Sequence, residues 1–111
     1  MSTTNTHPDR AFTPQLRRAA PTEFAAYGEL STAALKNENG RLDLKTRELI
    51  AIGVALTTQC EMCLESHVVA AREAGATREE VAETVFVSAA VRAGGAVTHG
   101  MKAMRILADH E

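Results

Sequence analysis

The sequence predicts an all-α protein, a bundle of about five to six helices. Three observations lead there. No segment alternates apolar and polar residues with period two, so no strand is expected. Apolar residues recur instead at helical spacing, in segments bounded by caps and breakers. The 111 residues are 45% hydrophobic yet include only one Tyr, three Phe and no Trp. A core must therefore come from Ala, Val, Leu and Ile, as in closely packed helices.

Residues 1–12 are polar, carry Pro8, and read as a flexible N-terminal tail; residues 13–111 read as a single domain. Thr13-Pro14 can open a short helical turn, because proline at the first position lacks only a donor that would be unpaired anyway. Pro21 does the same for a longer helix to about Lys36, with Phe24, Tyr27, Leu30, Ala34 and Leu35 as its expected buried stripe. Asn37-Glu38-Asn39-Gly40 turns the chain. Asp43 is an N-cap for a helix over about Leu44–Leu56, apolar nearly all round and so expected at the centre. A helix carrying the two cysteines follows and ends near Gly75. Thr77-Arg78-Glu79-Glu80 is a capping box for the next helix, whose face runs through Val81, Val85, Ala89 and Arg92. Gly94-Gly95 predicts a kink or a close approach, then a last helix over about Ala96–Ala108.

Composition excludes several functions. A net charge of −2 gives no electrostatic case for nucleic acid or an anionic membrane. No uninterrupted apolar run approaches the ~18 residues that span a bilayer. The N-terminus lacks the apolar run of a secretory signal, so a cytoplasmic location is expected. In that compartment paired cysteines point to catalysis or metal binding sooner than to a structural staple.

Both cysteines lie in Thr58-Gln59-Cys60-Glu61-Met62-Cys63-Leu64-Glu65-Ser66-His67. At about 100° per residue, Cys60, Cys63 and His67 fall within about 60° of one another on an otherwise small, apolar face. Glu61, Glu65 and Arg72 are expected on the far side, in water. Residues three apart on a helix have Cβ atoms about 5–6 Å apart, slightly wide for a disulfide, but a first turn capped by Thr57 or Thr58 can adjust. The N-terminal dipole favours thiolate, and His67, one turn beyond Cys63, can take or return its proton. Three readings stay open. The cysteines could be buried structural residues. They could ligate zinc with His67 and His99, although three ligands from one two-turn helix converge awkwardly. Or they could be a redox dithiol. Glu48, in the first half of its helix, is either solvated beside Lys45 and Arg47 or buried against a histidine or thiol.

The pattern Glu48-x11-Cys60-x2-Cys63-x3-His67, with Leu44 to Ile50 before it and Gly94-Gly95 after it, resembles the AhpD-like, alkylhydroperoxidase-like branch of the carboxymuconolactone decarboxylase superfamily. The resemblance runs from about Leu42 to Met104. It implies an AhpD-like helical bundle that assembles as trimers or as hexamers of dimers. It implies a thiol peroxidase in which Cys63 attacks a hydroperoxide, Cys60 resolves it as a disulfide, and Glu48 and His67 relay the proton. An external dithiol would restore the pair, and no haem, flavin, metal or other cofactor is called for. One departure stands out: the best-studied relatives carry a further histidine between the cysteines, where this chain has Met62. The alternatives are a decarboxylase- or isomerase-like enzyme, whose superfamily relatives lack the CxxC, and a non-catalytic oligomer that is zinc-stapled or redox-sensing.

Overall fold

A computed structural model describes residues 7–111. Five α-helices follow a short 3-10 helix at Pro8–Phe12: α1 (Thr13–Ala19), α2 (Pro21–Leu35), α3 (Leu44–Thr58), α4 (Glu61–Glu73) and α5 (Arg78–Asp109). No strand occurs among the described residues. The expected caps are in place. Asp43 accepts from the Thr46 N–H at 2.8 Å, and Thr77 and Glu80 close a reciprocal capping box. Gly75, at φ 96°, takes the left-handed conformation that ends the chain's run out of α4.

α3 is the central helix, packing most extensively against α4, next against α5 and slightly against α2, while α1 packs on α2. Ile52 and Ala55 on α3 and Ala71 on α4 are the buried apolar residues. Gly53 brings α5 close, since a Cβ there would stand 3.1 Å from the Ser88 hydroxyl. Lys45 bonds Glu80 at 2.9 Å at one end of the α3–α5 contact, and the Arg92 guanidinium donates to the Thr57 carbonyl at the other.

Four expectations need correction. Gly94-Gly95 does not interrupt the last helix: α5 runs unbroken for 32 residues. Each glycine costs about 1 kcal/mol of helix propensity, too little to break a helix whose flanks hold no proline. The α2 stripe is not buried within the chain, for Tyr27 and Leu30 are 65% and 66% exposed. Thr57 and Thr58 do not cap the cysteine helix; their hydroxyls donate back to the Val54 carbonyl and close α3, which extends to Thr58. In the sequence's polar tail, Pro8–Phe12 forms a helical turn, while residues 1–6 lie outside the described residues.

An unbroken α5 also changes the membrane arithmetic. Between Glu83 and Lys102 its only Lys, Arg, Asp or Glu is Arg92, and α5 is long and apolar enough, by length and composition, to cross a bilayer.

Much apolar surface is left bare. Ile50 and Val54 on α3 and Val87 and Val91 on α5 are each more than half exposed and line an open groove between the two helices. From Arg92 to its end α5 is exposed apart from Gly100. The radius of gyration is 18.2 Å, against about 13 Å for a compact domain of this size.

The caps predict an acid response. Backbone N–H donors, from Thr46 to Asp43 and from Thr77 to Glu80, hold both carboxyls below their ordinary range, with Lys45 adding to the effect on each. In the unfolded chain these groups bind protons first as pH falls. Their contribution is therefore complete above the ordinary carboxylate range and is lost as pH drops through the lowered folded values. Thermal unfolding from about pH 6 to about pH 3 should show Tm falling with acid, and Glu80→Gln should flatten that fall.

Candidate active site

The site is built on the link between α3 and α4. Gln59 turns the chain in the left-handed region (φ 58°, ψ 41°), and Cys60 follows in extended conformation (φ −91°, ψ 100°). Cys60 is thus the N-cap of α4 and not its first helical residue. Its Sγ accepts from the Cys63 N–H at 3.3 Å. Leaving the helix relaxes the i,i+3 spacing: the Cα atoms are 5.2 Å apart and the two sulfurs are joined as a disulfide.

Behind the disulfide stands a buried acid. Glu48 is 3% exposed on α3, and its Oε2 lies 2.6 Å from Nδ1 of His67. A carboxylate only accepts, so Nδ1 carries the proton in this contact and Nε2 is left to exchange one. His67 sits one turn beyond Cys63 on α4, with Cβ atoms about 5–6 Å apart at that spacing. Of the two readings of Glu48, the buried one describes the structure. Neighbouring Arg47 is buried too, its guanidinium occupying the space a side chain at residue 40 would need.

The carboxylates next to Cys63 behave differently from one another. Glu61 is exposed and faces His7 at 3.5 Å. Glu65, expected in water, is half-buried, and its Oε2 has no partner among the described residues. His99 is exposed on the outer half of α5. Among the described residues no three His, Cys, Asp or Glu side chains group to hold a metal. Both cysteines are joined to each other.

One residue escaped the sequence reading. Arg10, from the 3-10 turn, reaches over α4 and donates through Nη2 to the Met62 carbonyl at 2.9 Å and the Ser66 hydroxyl at 2.7 Å. Nothing in a polar N-terminal stretch signals such a contact, because it depends on a separation of more than fifty residues.

The geometry can be set beside known proteins. The profile of the carboxymuconolactone decarboxylase family matches residues 21–105. A protein of the cox locus of Paracoccus denitrificans is 40% identical, the match covering 78% of this chain and 89% of the relative. One from Cupriavidus necator is 29% identical over 80% of this chain and 77% of its own. The crystal structure of a carboxymuconolactone decarboxylase family protein from Legionella pneumophila, in its apo form, superposes with a TM-score of 0.66 at 35% identity, covering 78% of each chain.

The buried pair makes a stability prediction. Glu48→Ala leaves the His67 Nδ1–H facing a cavity and should cost about 3–5 kcal/mol. Glu48→Gln keeps an acceptor of similar size and should cost roughly 1–2 kcal/mol. Urea unfolding of the two variants beside the parent chain measures the difference.

Proposed function

The chain belongs to the carboxymuconolactone decarboxylase family, and from that premise we propose that it is a thiol peroxidase of the alkylhydroperoxidase kind, working through Cys63 and Cys60. The observation that carries the reading is the Cys60–Cys63 disulfide closed one helical turn from a buried Glu48–His67 pair. A structural disulfide has no need of a proton-exchanging group beside it.

The cycle follows from the arrangement. His67 accepts the proton of Cys63, with Glu48 stabilising the imidazolium that forms. The Cys63 thiolate attacks the outer oxygen of a hydroperoxide: an S–O bond forms and the O–O bond breaks. The sulfur is oxidised by two electrons and the leaving alkoxide takes the proton back from His67. Cys60, as thiolate, then attacks the sulfenic sulfur of Cys63. An S–S bond forms, an S–O bond breaks, and hydroxide leaves as water with the proton released from Cys60. An external dithiol supplies two electrons and two protons to restore the pair, a step suited to the reducing cytoplasm. Cys63 is the nucleophile because His67 is within one turn of it, whereas Cys60 is nearly two turns away. The helix dipole favours Cys60, but contributes only about 0.3–1 kcal/mol at an exposed terminus.

Dimedone labelling tests the assignment. Cys60→Ser should consume one equivalent of cumene hydroperoxide and trap a sulfenic acid on Cys63. Cys63→Ser should leave Cys60 at least tenfold slower. Equal labelling of the two variants would sink the order of attack.

A second copy of the chain is the partner we assign to the bare face between α3 and α5. The accessible surface is 8691 Å², whereas a compact monomer of 11.9 kDa exposes about 5,900 Å². That excess exceeds the roughly 800 Å² one partner gives to a standard interface. Light scattering should report a homo-oligomer, and Val91→Asp should shift it toward smaller species. A parent chain running at its own 11.9 kDa would remove the oligomer.

A further inference from the structure

The cysteine pair has a charge problem that the proton relay does not solve. Of the titratable groups around Cys63, Glu61 and Glu65 share its helix and Glu48 lies behind it on α3. Asp9 and His7 come from the N-terminal turn, and His67 stands one helical turn beyond Cys63 on α4. A carboxylate near a thiol opposes its ionisation, and Glu65, half-buried on the same helix, has no partner among the described residues to offset it. Within Cys60–His67 there is no lysine or arginine.

The missing cation arrives from elsewhere in the chain. Arg10 is brought back across 52 and 56 residues to donate to the Met62 carbonyl and the Ser66 hydroxyl. Met62 immediately precedes Cys63, and Ser66 is its i+3 neighbour, so their Cβ atoms are about 5–6 Å apart. The guanidinium is therefore held on the first turns of α4, by the residue that precedes the reacting thiol and by its i+3 neighbour. It cannot lose its charge at any working pH. Its Nε–H is fully buried and has no partner among the described residues while the cysteines are oxidised. A buried donor without an acceptor costs about 1–3 kcal/mol, a cost removed when an anionic sulfur appears nearby. His7 works on the same problem. Its Nδ1 accepts from the Asp9 N–H at 3.2 Å, so Nε2 carries the hydrogen and faces Glu61 at 3.5 Å.

We propose that Arg10 is a positioning residue of the dithiol: the N-terminal turn is part of the active site, and its guanidinium raises the thiolate fraction of Cys63. The proposal rests on the reading of Cys63 as the nucleophile. Arg10 takes part in no bond making or breaking. It acts through the field it places at the sulfur and through the grip it has on the first turn of α4.

The test is iodoacetamide alkylation of Cys63 against pH in a Cys60→Ser background, where it is the sole thiol. Arg10→Gln should raise the midpoint by about one pH unit, roughly a tenfold loss of thiolate at neutral pH. Arg10→Lys should recover most of that shift, since a cation is restored while the fork of donors is not. Ser66→Ala, which loosens one anchor without changing charge, should give a smaller shift in the same direction. An unchanged midpoint in Arg10→Gln, or an Arg10→Lys variant that behaves as Arg10→Gln, would overturn the proposal. Oxidation of the otherwise unaltered chain by one equivalent of hydroperoxide is followed in parallel. If no Cys60–Cys63 disulfide forms there, the peroxidase reading fails, and the midpoints still decide the role of Arg10.

Discussion

Glu48 carries its carboxylate on the most buried helix of the protein and ends 2.6 Å from the imidazole of His67, and the placement of α4 depends on that contact. Withdrawing an ion from water costs several kcal/mol, and the attraction between partners roughly balances it. The pair therefore contributes less to net stability than burial of Ile52, worth about 1.5–3 kcal/mol. What it supplies is specification. Turning α4 about its axis would withdraw the imidazole and leave a buried carboxylate unanswered. The rotation that makes the contact also turns Ala71 into the core. The two-residue link of Gln59 and Cys60 then leaves α4 no freedom to slide.

The helices and their caps were legible because they depend on local rules. Asp43 and the Thr77–Glu80 box announce helix starts through short-range hydrogen bonds, and both form as the sequence implies. The pairing of Cys60 with Cys63 was legible from their spacing, although Cys60 caps α4 where the sequence reading put it inside the helix. Glu48 could not be resolved from its own helix, where a solvated carboxylate beside Lys45 reads equally well; the structure sends Lys45 to Glu80 and Glu48 to His67. Arg10 and the half-buried Glu65 were out of reach, since each depends on what another part of the chain covers. The reading of Gly94-Gly95 as a break gave too much weight to residue identity. A glycine pair weakens a helix only by a sum of small increments, and in α5 the flanking alanines and valines outweigh them.

The unbroken α5 is also where apolar surface is hardest to hide. Long bare helices face either lipid or protein, and composition alone does not separate the two. The homo-oligomer proposed above gives this helix protein to face. Arg92 is tied to the Thr57 carbonyl, and Lys45 to Glu80, so both ends of the α3–α5 seam are fastened by charged groups. Such a seam extends along α3 the same apolar strip that α5 carries past its last contact. A surface continuous over two helices of one chain suits a second folded subunit.

The disulfide has a further property that follows from where it sits. Its cysteines are three apart in sequence, so the ring it closes encloses almost no chain. A cross-link stabilises a fold mainly by denying the unfolded chain conformations, and the gain grows with the length of loop enclosed. Opening the bond forfeits about 2 kcal/mol of that gain, against about 4.7 kcal/mol for a cross-link that closes a 100-residue loop. In the cycle proposed above, the link that opens and closes is therefore one whose short ring carries little of the architecture.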